Sequence, residues 1–238
     1  MTTNARSSVR SWFALAVLTV AGAMTCSALI ASNMGHVSSV TLYKAGDSLP
    51  EGGVSKSGKN TINLPYAIGP NIVTAKDLMD DITLNNVAFL ERFVEATDGL
   101  EIYTGRKGSP LQSLNLAAGE CYYLTMSTTT FYTIVGNDKP SYAVALNSAQ
   151  SGVSKTGTNF VSLPLNTTVT TAKALIDDIG FANVANIQRF IRATDGLETY
   201  TGRKGSPNVD FPISNEECYF VVMNPNPNSP VNYTASHY

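Results

Sequence analysis

The chain has 238 residues, 43% of them apolar and only 14% charged, so it has a core to bury and is neither a disordered tail nor a charge-rich domain. A net charge of −2 without any dense run of Lys or Arg gives no surface that could neutralise phosphates, and no nucleic-acid partner is expected. Two histidines and three cysteines leave a thin stock of residues for chemistry at neutral pH.

Arg6 and Arg10 precede an apolar run from Trp12 to Val20, and the small-x-small site Ala21-Gly22-Ala23 follows, as in a signal peptide. Apolar character continues to Ala31, close to the length of about 20 residues that a membrane-spanning helix needs. Residues 1–28 therefore read as a signal peptide, with an uncleaved anchor as the alternative and the only expected contact with a membrane. Cleavage after Ala23 removes Arg6 and Arg10 and takes the net charge from −2 to −4. Cys26 lacks the Leu-Ala-Gly type of lipobox before it.

The next element is a strand over 39–46, with Val40 and Leu42 on one face. NTINLPY (60–66) is a second strand, whose exit is fixed by Pro65. Thr74 then offers an N-cap to a short helix, in which Ala75, Leu78, Met79 and Ile82 fall at i, i+3, i+4, i+7. VAFLERFVEA runs as a strand into Asp98-Gly99, the dipeptide suited to a type I′ hairpin, and returns as LEIYT. A GRKGSP loop and the strand ECYYLTM follow, and FYTIVGNDKP leads into SYAVALNS (141–148), with Tyr142, Val144 and Leu146 on one face.

From there the pattern repeats. TDGLEIYTGRKGSP (97–110) recurs as TDGLETYTGRKGSP (194–207), with 13 of 14 positions identical at an offset of 97. GVSKSGKNTINLP (53–65) matches GVSKTGTNFVSLP (152–164) at an offset of 99; TAKDLMDDI (74–82) matches TAKALIDDI (171–179), and GECYYLTM (119–126) matches EECYFVVM (216–223). The second helix carries Ala172, Leu175, Ile176 and Ile179 behind Thr171, and the second hairpin turns at Asp195-Gly196. The expected fold is mainly β (α+β): two tandem small antiparallel sandwich or barrel modules over 37–138 and 139–238, each with one short helix.

Two arrangements fit the strands that precede each copy. If SYAVALNS pairs with the first copy, the second lacks its last strand, and residues 39–46 of another molecule could supply it, giving a head-to-tail polymer through Val40, Leu42, Tyr142, Val144 and Leu146. If each strand belongs to the copy that follows it, both copies are complete and the protein is a monomer of two beads.

The combination N-x-x-x-LP, TAKxLxDDI, RF before a DG hairpin and G-E-x-Y resembles a repeated β-rich module of secreted and cell-surface bacterial proteins, usually written "ISLPL … GEGYFV". It covers about residues 38–238 and implies a structural or surface-display unit rather than an enzyme. Cys121 and Cys218 stand where a small residue is typical.

Candidate sites follow from the residues. Cys121 and Cys218 occupy equivalent strand positions in different copies, so buried free thiols are expected, with an intermolecular disulfide as the alternative. Asp80-Asp81 and Asp177-Asp178 point about 100° apart on a helix and read as a solvated edge. Arg92 with Glu120, and Arg189 with Glu217, are expected as structural ion pairs. Arg106, Lys107, Arg203 and Lys204 on the GRKG loops could grip a glycan or an acidic neighbour. Tyr103, Tyr122, Tyr200 and Tyr219 could form a sugar platform or cross-strand pairs. His36 and His237 lie near the two ends, and no catalytic, metal or cofactor template occurs. Asn166 and Asn232 head sequons. The sequence points to a secreted structural protein that assembles with itself or with other cell-surface components, the alternative being an adhesin or carbohydrate-binding module.

Overall fold

Asn60 and Asn159, the first residues of the two N-x-x-x-LP motifs, show how each repeat is tied together. Asn159 is fully buried, accepts from Asn147 N and donates to the carbonyls of Asn147, Gly157 and Val221. Asn60 makes the same set with Tyr43, Gly58 and Leu124. One amide thus joins the incoming strand, the turn and the neighbouring strand, and leaves no buried polar atom of its own unpaired.

The computed structural model describes residues 36–64, 67–68, 72–106, 113–117, 119–137, 143–164, 167–203, 209–226 and 228–236. The N-terminal apolar segment, Tyr142, Lys107, Lys204, Asn166 and His237 lie outside the described residues. The first repeat contains β1 (His36–Leu42), β2 (Lys59–Asn63), β3 (Ala67–Ile68), α1 (Ala75–Ile82), a 3-10 turn (Leu84–Asn86), β4 (Val87–Val94), β5 (Gly99–Tyr103), β6 (Cys121–Met126) and β7 (Thr130–Asn137). The second contains β8 (Val144–Leu146), β9 (Thr158–Ser162), α2 (Ala172–Ile179), β10 (Val184–Ile191), β11 (Gly196–Tyr200), β12 (Cys218–Met223) and β13 (Val231–Tyr233).

The fold is mainly β, in two pairs of similar antiparallel sheets. The larger sheets have the orders β2-β6-β4-β5 and β9-β12-β10-β11, and the smaller ones are β1-β7-β3 and β8-β13. In the first repeat Leu42 and Tyr132 from the small sheet, Leu78 and Met79 from α1, and Leu90 and Leu124 from the large sheet share one core. Leu146, Leu175, Ile187 and Val221 do so in the second. The pairing β1–β7 and β8–β13 decides between the two strand arrangements: each leading strand belongs to the copy that follows it, and the second copy has its own closing strand.

Both helices start where the threonines predict. Thr74 and Asp77 form a capping box, with Asp77 N donating to Thr74 Oγ1 at 3.2 Å and Thr74 N donating to Asp77 Oδ2 at 2.9 Å. The Thr74 hydroxyl and the Val73 amide hold the Asp77 carboxyl below its usual range. In α2 the box residue is Ala174, so Thr171 caps alone and Lys173 N finds Asp210 at 2.8 Å.

The hairpin turns differ from the type I′ expectation. Asp98 and Asp195 have positive φ (53° and 55°), but Gly99 and Gly196 do not and instead begin the returning strands. Thr97 N donates to Val94 O at 3.1 Å, so the loop spans four residues. Space at these glycines is tight, because a Cβ at either would lie 3.1 Å from the hydroxyl of the threonine two residues earlier.

The aspartate pairs are more than a solvated edge. Asp80 and Asp177 pair with Lys76 and Lys173 one turn earlier. Asp81 and Asp178 each accept a tyrosine hydroxyl at 2.7 Å, from Tyr132 on β7 and Tyr233 on β13, which ties each helix to its small sheet.

Candidate functional site at the interface of the repeats

Every residue of β6 is buried, as are all but one of β12, which a strand with one wet face cannot achieve. Tyr122 and Leu124 face the core of the first repeat. Cys121 and Tyr123 therefore point the other way, and they meet Cys218 and Phe220 of the second repeat. The large sheets pack face to face.

Cys121 and Cys218 form a disulfide within the chain, with Cα atoms 5.9 Å apart and a sequence separation of 97. This corrects the expectation of free thiols or of an intermolecular bridge. The cysteines lie on the outward faces of their sheets, so the bridge needs two faces to meet and not two interiors. The repeats are correspondingly not separate beads.

An aromatic cluster lies on the same facing strands as the disulfide. Phe160 stacks on Phe220 at 4.4 Å and on Tyr123 at 5.1 Å, while Phe93 and Phe190 approach edge-on. Burial, and after it the Glu91 charge, pushes the Tyr123 hydroxyl well above its usual range. Lys59 Nζ lies 2.6 Å from Glu91 Oε2 as an ionic contact, its angle being unsuited to a hydrogen bond, and sits 5.0 Å from the Tyr123 ring centre. The second repeat has uncharged Thr158 and Gln188 in these places.

Polar groups close the rim. Arg192 donates from Nε to Glu51 Oε1 at 2.9 Å and lies over Tyr43 at 5.1 Å. Glu95 accepts from Asn147 Nδ2 at 3.0 Å, and burial raises its carboxyl above the usual range. Asn63 Nδ2 donates to Asn215 O, and Ser162 Oγ donates to Gly119 O at 2.6 Å.

Two clefts open at this interface. One, of about 290 Å³, is lined by Arg92, Phe93, Glu95, Glu120, Val144 and Phe160. The other, of about 230 Å³, is lined by the equivalents Arg189, Phe190, Arg192, Glu217, Val40 and Thr61. Both fall below the range of about 300–1,000 Å³ typical of small-molecule pockets. They differ where Glu95 replaces Arg192 and Phe160 replaces Thr61.

The expected ion pairs form with other partners. Arg92 pairs with Glu101 and Arg189 with Glu198, at 2.5 and 2.6 Å. These glutamates are the direct cross-strand neighbours on β5 and β11, whereas Glu120 and Glu217 accept the hydroxyls of Tyr122 and Tyr219. Leu42 and Leu146 are core residues, and Val40 and Val144 pack partly buried against the cores. Arg106 and Arg203 are exposed. Tyr103, Tyr122 and Tyr219 are buried and Tyr200 packs against the second core, so the tyrosines form no exposed platform. Among the described residues no group of three His, Cys, Asp or Glu is placed to hold a metal ion, and no helix is long and apolar enough to cross a membrane.

No protein-family model, curated protein or solved structure matches this chain.

Proposed function

We propose that the chain is an exported structural building block, in which two β-rich repeats locked face to face form a unit that assembles with copies of itself outside the cell. The observation that carries this reading is the buried Cys121–Cys218 disulfide, a bond that persists in oxidising compartments and is rare where glutathione keeps thiols reduced. The signal-peptide pattern of residues 1–28 and the resemblance to secreted surface modules point the same way. Strand donation in this reading is an exchange, because β1 would leave β7 of its own chain for β7 of a neighbour. A glycan-binding role finds no tyrosine platform to rest on, since Tyr103, Tyr122 and Tyr219 are buried and Tyr200 packs against the second core.

Intact mass and negative-stain microscopy of the protein taken from its native source test the proposal. The expected result is a mass lacking about the first 23–28 residues, Cys121 and Cys218 oxidised, and extended assemblies. Reduced thiols on a full-length, unassembled chain would overturn it. Assemblies that survive deletion of residues 37–46 would remove strand exchange as the route.

A further inference from the structure

Several contacts between the repeats come in reciprocal pairs. Phe93 meets Phe220, and their equivalents Phe190 and Tyr123 meet in return, both at 5.3 Å and both edge to face. Lys56 N donates to Arg192 O at 3.0 Å, while the equivalent Lys155 N donates to Glu95 O at 2.9 Å. Ser57 Oγ donates to Asp195 Oδ1 at 2.8 Å, and Thr156 Oγ1 donates to Asp98 Oδ1 at 3.0 Å. Each pair is related by the offsets of 97 and 99 that relate the repeats. Cys121 and Cys218 are themselves equivalents, so the disulfide lies on the pseudo-two-fold axis. A surface on which i touches j of the partner and j touches i is isologous, the form taken by a symmetric homodimer.

We propose that this face is self-complementary and that its partner, besides the sister repeat, is a second copy of this chain, whose repeat takes the same place in an exchanged dimer or longer array. Residues 138–143 join the repeats, and so short a tether holds the sister face at an effective concentration on the order of millimolar. The closed monomer therefore wins in dilute solution, and exchange gains where newly exported chains are crowded. Oxidation then fixes whichever pairing was made: two thiols give up two protons and two electrons to a disulfide oxidant such as glutathione disulfide, which leaves as two glutathione thiols. The inference takes its setting from the self-assembly reading, but the face is tested on the purified protein alone.

The test refolds full-length Cys26→Ser/Cys121→Ser and Cys26→Ser/Cys218→Ser chains together, with different tags, in the presence of glutathione disulfide. Neither can close its own bridge, so a covalent heterodimer forms only if Cys218 of one chain meets Cys121 of the other across an exchanged face. About a tenth of the refolded material is expected as heterodimer at about 0.1 mM, rising with concentration, with the cross-chain Cys121–Cys218 peptide identified by mass. Refolded chains that give no heterodimer up to about 1 mM would overturn the proposal. Should the variants not refold, the Cys26→Ser chain reoxidised over the same range decides: covalent dimer rising with concentration supports exchange, and monomer throughout overturns it. Native assemblies without exchange in vitro would remove this inference and leave the structural reading, and exchange without native assemblies would do the reverse.

Discussion

Tyr132 on β7 donates its hydroxyl to Asp81 Oδ2 at the end of α1, at 2.7 Å, and Tyr233 on β13 does the same to Asp178. Each bond crosses from the small sheet to the helix at the edge of a core. Removing the hydroxyl from a mostly buried tyrosine sacrifices a bond to a charged acceptor, worth about 1.5–3 kcal/mol. Tyr132→Phe and Tyr233→Phe are each expected to lower stability by roughly that amount, with an unchanged denaturant m-value, in urea titrations followed by fluorescence.

The second tyrosine bond also carries a pH dependence. Burial by itself would raise the Asp178 carboxyl, but hydrogen bonds from the Ser236 side chain and amide and from Tyr233 outweigh it and leave the group below its usual range. A folded pKa below the unfolded value contributes stability that is present above the unfolded pKa and is lost as pH falls through the folded one. Denaturation midpoints are thus expected to fall more steeply below about pH 4 in the wild type than in Asp178→Asn. The difference is on the order of 1 kcal/mol or less, since solvent screens this largely exposed group.

Thr83 leaves α1 at φ 98°, and Gly180 leaves α2 at φ 103°. A β-branched residue is strained in this region, whereas glycine enters it freely. Thr83→Gly is expected to raise stability by about 0.5–1 kcal/mol, the strain relieved being partly offset by the greater freedom of glycine in the unfolded chain. Gly180→Thr should lower it by more. Thermal melts of both variants check the pair, and equal losses would show that φ does not govern this exit.

Local features were legible in the sequence because they rest on short-range rules. The helices over 75–82 and 172–179 followed from the spacing of Leu78, Met79 and Ile82 and their equivalents, with Thr74 and Thr171 as caps. Partner choice was not legible for the arginines, since Glu101 and Glu120 both recur in the second copy and only strand register puts Glu101 opposite Arg92. The interface left one signal unread: CYYLTM has almost no polar alternation, which means burial on both faces and hence a second layer beyond the module's own core.

The disulfide joins positions 97 apart in sequence, in repeats that also hold each other by packing. In the chain-entropy account a loop of that length restricts the unfolded chain by about 4–5 kcal/mol. Cys121→Ser/Cys218→Ser is expected to lose roughly that much by denaturant titration while keeping the aromatic cluster, seen as retained near-ultraviolet dichroism at low denaturant. Loss of that signal before any unfolding would mean that the disulfide, and not the packing of Phe93, Phe160 and Phe220, holds the faces together.

Lys59 and Glu91 bring an ion pair to an interface where the second repeat places Thr158 and Gln188, and Glu91 is only 4% exposed. Breaking a buried pair from one side strands the other charge and typically costs about 3–5 kcal/mol, whereas replacing both partners removes that penalty. Lys59→Thr alone leaves Glu91 without its cation and is expected to cost several times more than Lys59→Thr/Glu91→Gln. The double change copies the composition at the equivalent positions of the second repeat and strands no charge. A double-mutant cycle in urea measures the coupling directly. Coupling near zero would mean that water already screens the pair and that the face is wetter than its aromatic packing implies.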